Sequence, residues 1–394
     1  MKKRLIFNEI IQKIEHKNVL VITGMRQVGK TTLMRQIFDH IGDKPKLWFD
    51  LDNPLDQKMF EDIDYKTIYR RLEKMAKKGQ GRLFVFIDEI QNFPEITKVI
   101  KYLLDHYGVK FIVTGSSNYY LKNLFPESLS GRKFLYVLSP LDFKEILYFK
   151  GLIDTKTALL KNLEKALLEK DLYKYKDYEL VYDDYLMYGG FPEVVMTEDN
   201  KVKQEILKNI FASFFEKDLK LLSDYKDVRE LRDLILLLAP RIGSLLDVSK
   251  LASELKIDRV KTYAYLEFLQ GVFFIKLLPK YSKSIDRSVA GGRKLYFADN
   301  GILNIMSRLN DGQIFENAVV AQLAQYGELK FYNKKNREEI DIILGNTAME
   351  IKINPDKKDL SKLEKLSKKL SLDSALLLGK KYSTDKKVLP AVFI

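Results

Sequence analysis

Apolar residues follow two different periods along this chain. Short unbroken runs, Val19 to Thr23 (VLVIT) and Leu83 to Ile87 (LFVFI), have the length and continuity of strands buried on both faces, as in a parallel sheet. A third strand, VKFIVTGSSN, ends in the polar residues Ser116, Ser117 and Asn118. Between these runs the spacing changes to three and four, most clearly in the helix that opens at Lys30. From about 141 to 240 the pattern is helical and carries no evident chemistry, as in TALLKNLEKALLEKDLYKY and LKNIFASFFEKDLKLL. The spacing then predicts a helix from Val248 to Leu255, a turn at Lys256-Ile257-Asp258, a helix from Arg259 to Gln270 and a strand from Val272 to Leu278. KLYFADNGIL, Lys294 to Leu303, reads as a return strand and the transition to the last segment. There EIDIILGNTAMEIKIN reads as two strands around Gly345-Asn346, a two-residue turn whose members both tolerate positive φ.

Composition narrows the class. The 394 residues suggest two to three domains at ~150 residues each. With 46% hydrophobic and 31% charged residues, the chain is globular rather than disordered. The net charge of +13 favours an anionic partner such as nucleic acid, nucleotide or an acidic membrane surface; a solvated, Lys- and Glu-rich surface gives the same balance. With no cysteine there is no disulfide and no thiolate zinc site, and His16, His40 and His106 are too scattered to suggest a histidine metal site. No apolar run approaches the ~20 residues of a membrane span. The basic N-terminus is interrupted by Asn8, Glu9 and Gln12, unlike a signal peptide, so the protein is expected to be cytoplasmic.

The strongest chemical signal is G-x-x-x-x-G-K-[ST], here Gly24-Met25-Arg26-Gln27-Val28-Gly29-Lys30-Thr31, followed by Thr32. The glycines let the backbone turn its N–H groups toward phosphate, and the helix N-terminus adds positive potential. Lys30 neutralises the β/γ-phosphates, and Thr31 offers its hydroxyl to Mg²⁺. The run Leu83 to Ile87 ends in Asp88-Glu89. An acid at that strand end can hold the Mg²⁺ shell, here Asp88, and the next, Glu89, can orient and deprotonate the attacking water. Ser117 or Asn118 is placed to sense the γ-phosphate or to cap a turn.

Residues 1 to about 140 resemble an AAA-type P-loop ATPase of the additional-strand class, through TGMRQVGKTTL, FIDEIQNFP, VTGSSN and SLSGRKFLYVLSPLDFKEIL. Over nearly the whole chain the resemblance is to a bacterial and archaeal family with a C-terminal DUF4143-like domain. It implies ATP and Mg²⁺ as cofactors and makes Arg132, in SGR, a candidate arginine finger acting across an interface; an arginine positioning a turn is the alternative. YGGFPEVV is similar to the Gly-x-Pro signature of related signalling ATPases, which would set Gly190 and Pro192 near the adenine; a helix-stop turn is the alternative. The implied fold is α/β: a P-loop NTPase domain at 1–140, a helical lid or linker at 141–240, a winged helix at 241–306 and a restriction-endonuclease-like domain at 307–394. In the winged helix, Arg259, Lys261, Thr262 and Tyr265 would lie on accessible positions of the recognition helix.

The hairpin turn pairs Leu344 with Thr347, which sets Asp341 opposite Glu350, and strand alternation puts Lys352 on the face of Glu350. Two carboxylates facing each other across a ladder repel unless something binds between them, and a divalent cation would resolve the conflict. This segment resembles a PD-(D/E)xK nuclease core, with Glu316 on the preceding amphipathic helix as a further ligand beside Asp341 and Glu350, and Lys352 assisting hydrolysis. The alternative is a retained fold without activity, held by salt pairs such as Lys352–Glu339. The expected function is therefore an ATP-hydrolysing protein acting on DNA or RNA, with homo-oligomerisation where Arg132 acts in trans. The other reading is a nucleotide-dependent switch or scaffold with an inert nuclease fold.

Overall fold

The run Val19–Thr23 forms β1, buried along its whole length, between β4 (Lys110–Gly115) and β5 (Lys133–Val137), both parallel to it. With β2 (Lys46–Asp50) and β3 (Phe84–Asp88) it makes a five-stranded parallel sheet of order β2-β3-β4-β1-β5. β4 therefore stands between the two strands whose ends carry Lys30 and Asp88. The computed structural model describes residues 2–76, 81–115, 131–218, 225–282, 284, 291–334 and 338–394. The chain divides into two units, residues 1–139 with 271–273 and residues 140–270 with 274–394.

In the first unit, α1 (Phe7–Gln12) precedes β1 and α2 (Lys30–His40) follows it, while α3 (Tyr65–Met75) and α4 (Ile96–Tyr107) flank β3. Alternate strand residues Val19, Val21, Val85, Ile87, Phe111 and Val113 share one core with Ile68 and Leu72 of α3 and Ile100 and Leu103 of α4. Each of these is at most 1% exposed, so this sheet face is fully withdrawn from water, worth roughly 1.5–3 kcal/mol per large side chain.

The second unit begins with helices: α5 (Phe143–Lys150), α6 (Leu172–Tyr188), α7 (Pro192–Met196), α8 (Asn200–Ser213) and α9 (Tyr225–Leu238). The stretch TALLKNLEKALLEKDLYKY, which reads as continuous helical periodicity, is cut into pieces by capping side chains. Asn162 accepts from Lys165 N, and Asp171 accepts from Tyr173 N and Lys174 N, so each opens a new helix. Next come α10 (Val248–Leu255), α11 (Arg259–Gly271) and an antiparallel ribbon of β6 (Ile275–Pro279) and β7 (Arg293–Phe297). Of the four α11 residues expected on an accessible face, Arg259 is exposed and the other three are not free. Thr262 is fully buried. The Tyr265 hydroxyl donates to Asp227 and Glu230 of α9 at 3.0 Å each, and Lys261 Nζ bridges the same two carboxylates at 2.7 and 2.6 Å. Two acids on α9 thus draw that face inward, leaving Val260 and Tyr263 outward at 79% and 55% exposure.

After α12 (Asn300–Met306) and α13 (Asp311–Leu323) comes a second five-stranded sheet of order β12-β11-β10-β9-β8. β8 (Leu329–Lys334), β9 (Glu338–Leu344) and β10 (Thr347–Lys352) run antiparallel to one another in succession. α14 (Lys357–Leu370) crosses to β11 (Ser374–Gly379), parallel to β10, and β12 (Val388–Pro390) closes the sheet in parallel with β11. Apart from residues 271–273, the segments expected to form a lid, a winged helix and a C-terminal domain are grouped in the second unit.

Candidate functional site

The loop after β1 is coiled by three positive φ angles: Gly24 (148°), Gln27 (61°) and Gly29 (91°). Gly29 caps α2 in the left-handed conformation, so the eleven-residue helix opens at Lys30. Only glycine fits at 24, because a Cβ there would stand 2.0 Å from the Leu138 carbonyl oxygen. Met25 and Val28 are buried and anchor the loop, while Gln27 is exposed and Arg26 and Thr32 are half-buried. Lys30 is itself buried, and its Nζ reaches back to donate to the carbonyls of Gly24 (3.1 Å) and Met25 (2.8 Å). An ammonium therefore lies within the loop's curve, at a helix N-terminus, where a phosphate is favoured. Arg4 fastens the loop from outside: Nη1 donates to Val28 O at 2.8 Å and Nη2 to Ser139 O at 2.9 Å. Leu138 N donates to Thr23 O at 2.6 Å.

Asp88 ends β3 and is buried. Burial pushes its carboxyl pKa up; hydrogen bonds from the Thr114 and Thr31 hydroxyls pull it back, and the charges of Glu89 and Asp50 add to the rise. Asp50 ends the neighbouring strand in register with Asp88. Glu89 stands in the left-handed region, at φ 52° and ψ 49°, unusual for a side chain of that size. Its N–H donates to Asp88 Oδ1 and to Thr114 Oγ1, both at 3.2 Å, and its carboxylate accepts from Gln91 Nε2. Thr114 is thus the hinge pin of the acidic pair, fully buried on β4 with its hydroxyl also donated to Asp88. Sequence reading passes over it, because a threonine within an apolar strand is an ordinary β-former. The donor set Thr31 hydroxyl plus Asp88 carboxylate is all oxygen, as Mg²⁺ requires, and with the Lys30 loop these residues fit a magnesium nucleotide.

Ser117 and Asn118 lie outside the described residues. Arg132 is half-buried just before β5, its Nε on Asp105 Oδ1 of α4 at 3.1 Å and its carbonyl accepting from Val19 N at 2.8 Å. That is the end of the sheet where β1 begins, whereas the Lys30 loop follows the end where β1 finishes, about 16 Å away at the rise of a strand. Arg132 therefore does not reach the loop of its own chain. Pro192 lies in the second unit at the first turn of α7. The YGGFP stretch has a packing reason there. A Cβ on Gly189 would stand 2.2 Å from Asp299 Oδ1, and one on Gly190 would stand 2.1 Å from Leu141 O. Gly190 N donates to Asp299 Oδ2 at 2.7 Å, and Asp299 also caps α12 through Ile302 N at 3.1 Å. Full burial pushes the Asp299 pKa up to about 6 against these N–H groups.

The C-terminal hairpin has the expected register, with Leu344, Ile343 and Ile342 paired to Thr347, Ala348 and Met349. Beyond that ladder Asp341 Oδ2 accepts from Ile351 N at 3.0 Å, and Lys352 Nζ pairs with Glu350 Oε1 at 2.9 Å. Glu316 of α13 accepts from the Tyr296 hydroxyl at 2.7 Å. Burial and then the Asp341 charge raise the pKa of Glu316, and the same two causes push Glu350 up to about 7. Glu316, Asp341, Glu350 and Lys352 thus form one electrostatic group. Among the described residues no group of three or more acidic or histidine side chains is arranged so that it could hold a metal ion. Sequence reading also missed Lys294. Buried on β7, its Nζ lies 2.6 Å from Glu339 and 3.6 Å from Asp341. Burial alone would lower its pKa, but Asp341, Glu316 and Glu339 outweigh that and raise it. The salt pair expected between Lys352 and Glu339 is replaced by Lys352–Glu350 and Lys294–Glu339.

Residues 16–147 match a family described as an AAA domain (AAA_14). Residues 179–313 match a domain of unknown function, DUF8612, in place of the expected DUF4143. The uncharacterized protein MJ1544 of Methanocaldococcus jannaschii is 30% identical over 398 residues, covering 95% of this chain and 85% of its own. An uncharacterized protein of Haemophilus influenzae is 28% identical over 361 residues, covering 87% and 84%. Among solved structures, the Aeropyrum pernix ORC1 protein in complex with DNA aligns over 80% of this chain and 93% of its own at 13% identity, with a TM-score of 0.34. No helix among the described residues is long and apolar enough to cross a membrane. Sharing almost its full length with MJ1544, and carrying the phosphate loop and acidic strand end within its AAA match, this chain belongs to the MJ1544 family and has an AAA-type P-loop ATPase domain as its first unit.

Proposed function

We propose that this protein binds ATP with Mg²⁺ and hydrolyses it, and that the nucleotide state governs contact between its second unit and nucleic acid. The observation that carries the reading is the buried Lys30 ammonium within the positive-φ loop, on the strand next but one to the Asp88–Glu89 end of β3. Bound ATP supplies the γ-phosphate as electrophile, and Mg²⁺ would be held by Thr31 and Asp88. Lys30 neutralises phosphate charge, and Glu89 orients and deprotonates the attacking water. Thr114 fixes the backbone from which Glu89 projects, and Gln91 holds its carboxylate. Lys30→Ala abolishes tight ATP binding, whereas Glu89→Gln keeps binding and slows hydrolysis. Wild-type turnover by Glu89→Gln would refute the assignment.

The nucleic-acid part rests on the +13 charge and on α10, α11 and the β6–β7 ribbon, whose order is that of a winged helix. The exposed Lys256, Arg259 and Tyr263 are its contact candidates, in place of the inward Lys261, Thr262 and Tyr265. ATP turnover measured with single- and double-stranded DNA and RNA tests this, and no stimulation by any of them favours a nucleotide-dependent switch or scaffold. The order of α13, the antiparallel β8–β10 and the α14 crossover supports a nuclease-like fold, and the Lys294 pairing favours its being inert.

A further inference from the structure

We infer that Lys294 is the built-in cation of the C-terminal carboxylate cluster and that it and a divalent metal compete for the same oxygens. This rests on the nuclease-like reading of that sheet and is independent of the ATPase reading. Each residue expected to ligate a metal already has a donor on it. Asp341 has one oxygen on Ile351 N–H and the other facing Lys294 Nζ at 3.6 Å. Glu316 Oε1 takes the Tyr296 hydroxyl, and Glu350 Oε1 takes Lys352.

Lys294 and Tyr296 are two apart on β7, so one strand face delivers both groups to the cluster. The placement is built rather than incidental. Lys294 is 2% exposed, with its charge turned onto Glu339 and Asp341. Gly243 leaves room for the Glu316 carboxylate, since a Cβ there would lie 2.8 Å from Oε1. A long, flexible side chain aimed at solvent would have left the acids open to an ion; a buried one does not. Glu339 and Asp341 face Lys294, Glu350 pairs with Lys352 and Glu316 accepts from Tyr296, so loss of Lys294 leaves Glu339 and Asp341 without their cation. Removing Lys294 should therefore create a metal site where the native protein has an ion-pair network joining the ribbon to the sheet.

The test uses the nucleotide-free full chain with Mn²⁺ as the probe, read by calorimetry and by melting temperature. Wild type and Asp341→Asn give the same isotherm, and Mn²⁺ leaves the wild-type melting temperature unchanged. Lys294→Met melts lower, gains one Mn²⁺ site, recovers melting temperature on adding Mn²⁺, and loses both gains when combined with Asp341→Asn. If the methionine variant does not fold, Lys294→Gln is read in the same way. Wild-type Mn²⁺ binding that Asp341→Asn removes would overturn the inference, as would the failure of both Lys294 variants to gain a site. ATP turnover is followed separately in Glu89→Gln, so failure of the ATPase reading leaves the manganese result unaffected.

Discussion

Thr114→Val is the most informative single change in the ATPase unit. Valine keeps the volume and the β-branch but removes the hydroxyl that donates to Asp88 and accepts the Glu89 N–H at 3.2 Å. Both partners lie beside the expected chemistry, and Asp88 is buried, so water does not replace the lost group. A hydrogen bond to a charged group is worth about 1.5–3 kcal/mol. If about 2 kcal/mol of that is lost from the transition state through a displaced Glu89, turnover falls about 30-fold. Loop residues 24–31 are untouched, so ATP affinity stays near wild type. The assay is steady-state turnover at saturating ATP across Mg²⁺ concentration, beside equilibrium ATP binding. Thr114→Ser, which restores the hydroxyl, recovers most of the rate. Wild-type turnover in Thr114→Val would show that the hydroxyl does not position Glu89. A loss that serine fails to rescue would assign the effect to strand packing.

Two further outcomes follow from the structure. If Arg132 completes a neighbour's site, turnover per chain rises with protein concentration and Arg132→Ala loses that rise while keeping ATP affinity; a concentration-independent rate unaffected by the substitution leaves Arg132 as the partner of Asp105. Asp299 has a native pKa of about 6 against an ordinary 3.8, so its contribution to stability is fully present below about pH 4 and is lost as pH rises through 6. Asp299→Asn should flatten the fall in melting temperature between pH 4 and 7, and an unchanged slope would show that the group titrates alike in both states.

The phosphate loop and the hairpin were legible because their signals are local. The start of α2 at Lys30 and the 344–347 pairing follow from a few adjacent residues with restricted backbone choices. What was not legible depends on partners far away in sequence. Lys294 meets Glu339 and Asp341 across more than forty residues, and no periodicity reveals that a strand lysine is buried. Tyr265 and Lys261 looked accessible until Asp227 and Glu230, on another helix, were seen to receive them. Gly190 and Pro192 read as a Gly-x-Pro nucleotide signature, and the close approach of Gly189 to Asp299 and of Gly190 to Leu141 is a packing reason for glycine that no local pattern reveals.

The threads around Leu138 and Ser139 have a mechanical meaning. Leu138 presses its carbonyl on Gly24 and gives its N–H to Thr23, while Arg4 spans Val28 and Ser139. The loop and the last residues of the first unit are therefore geared together, and the covalent chain passes into the second unit at the very next residue. A phosphate that reshaped residues 24 to 29 would act on that exit through these contacts. Nucleotide chemistry at the tip of one strand would then be felt as a tug on the tether to the remainder of the molecule, through the backbone itself.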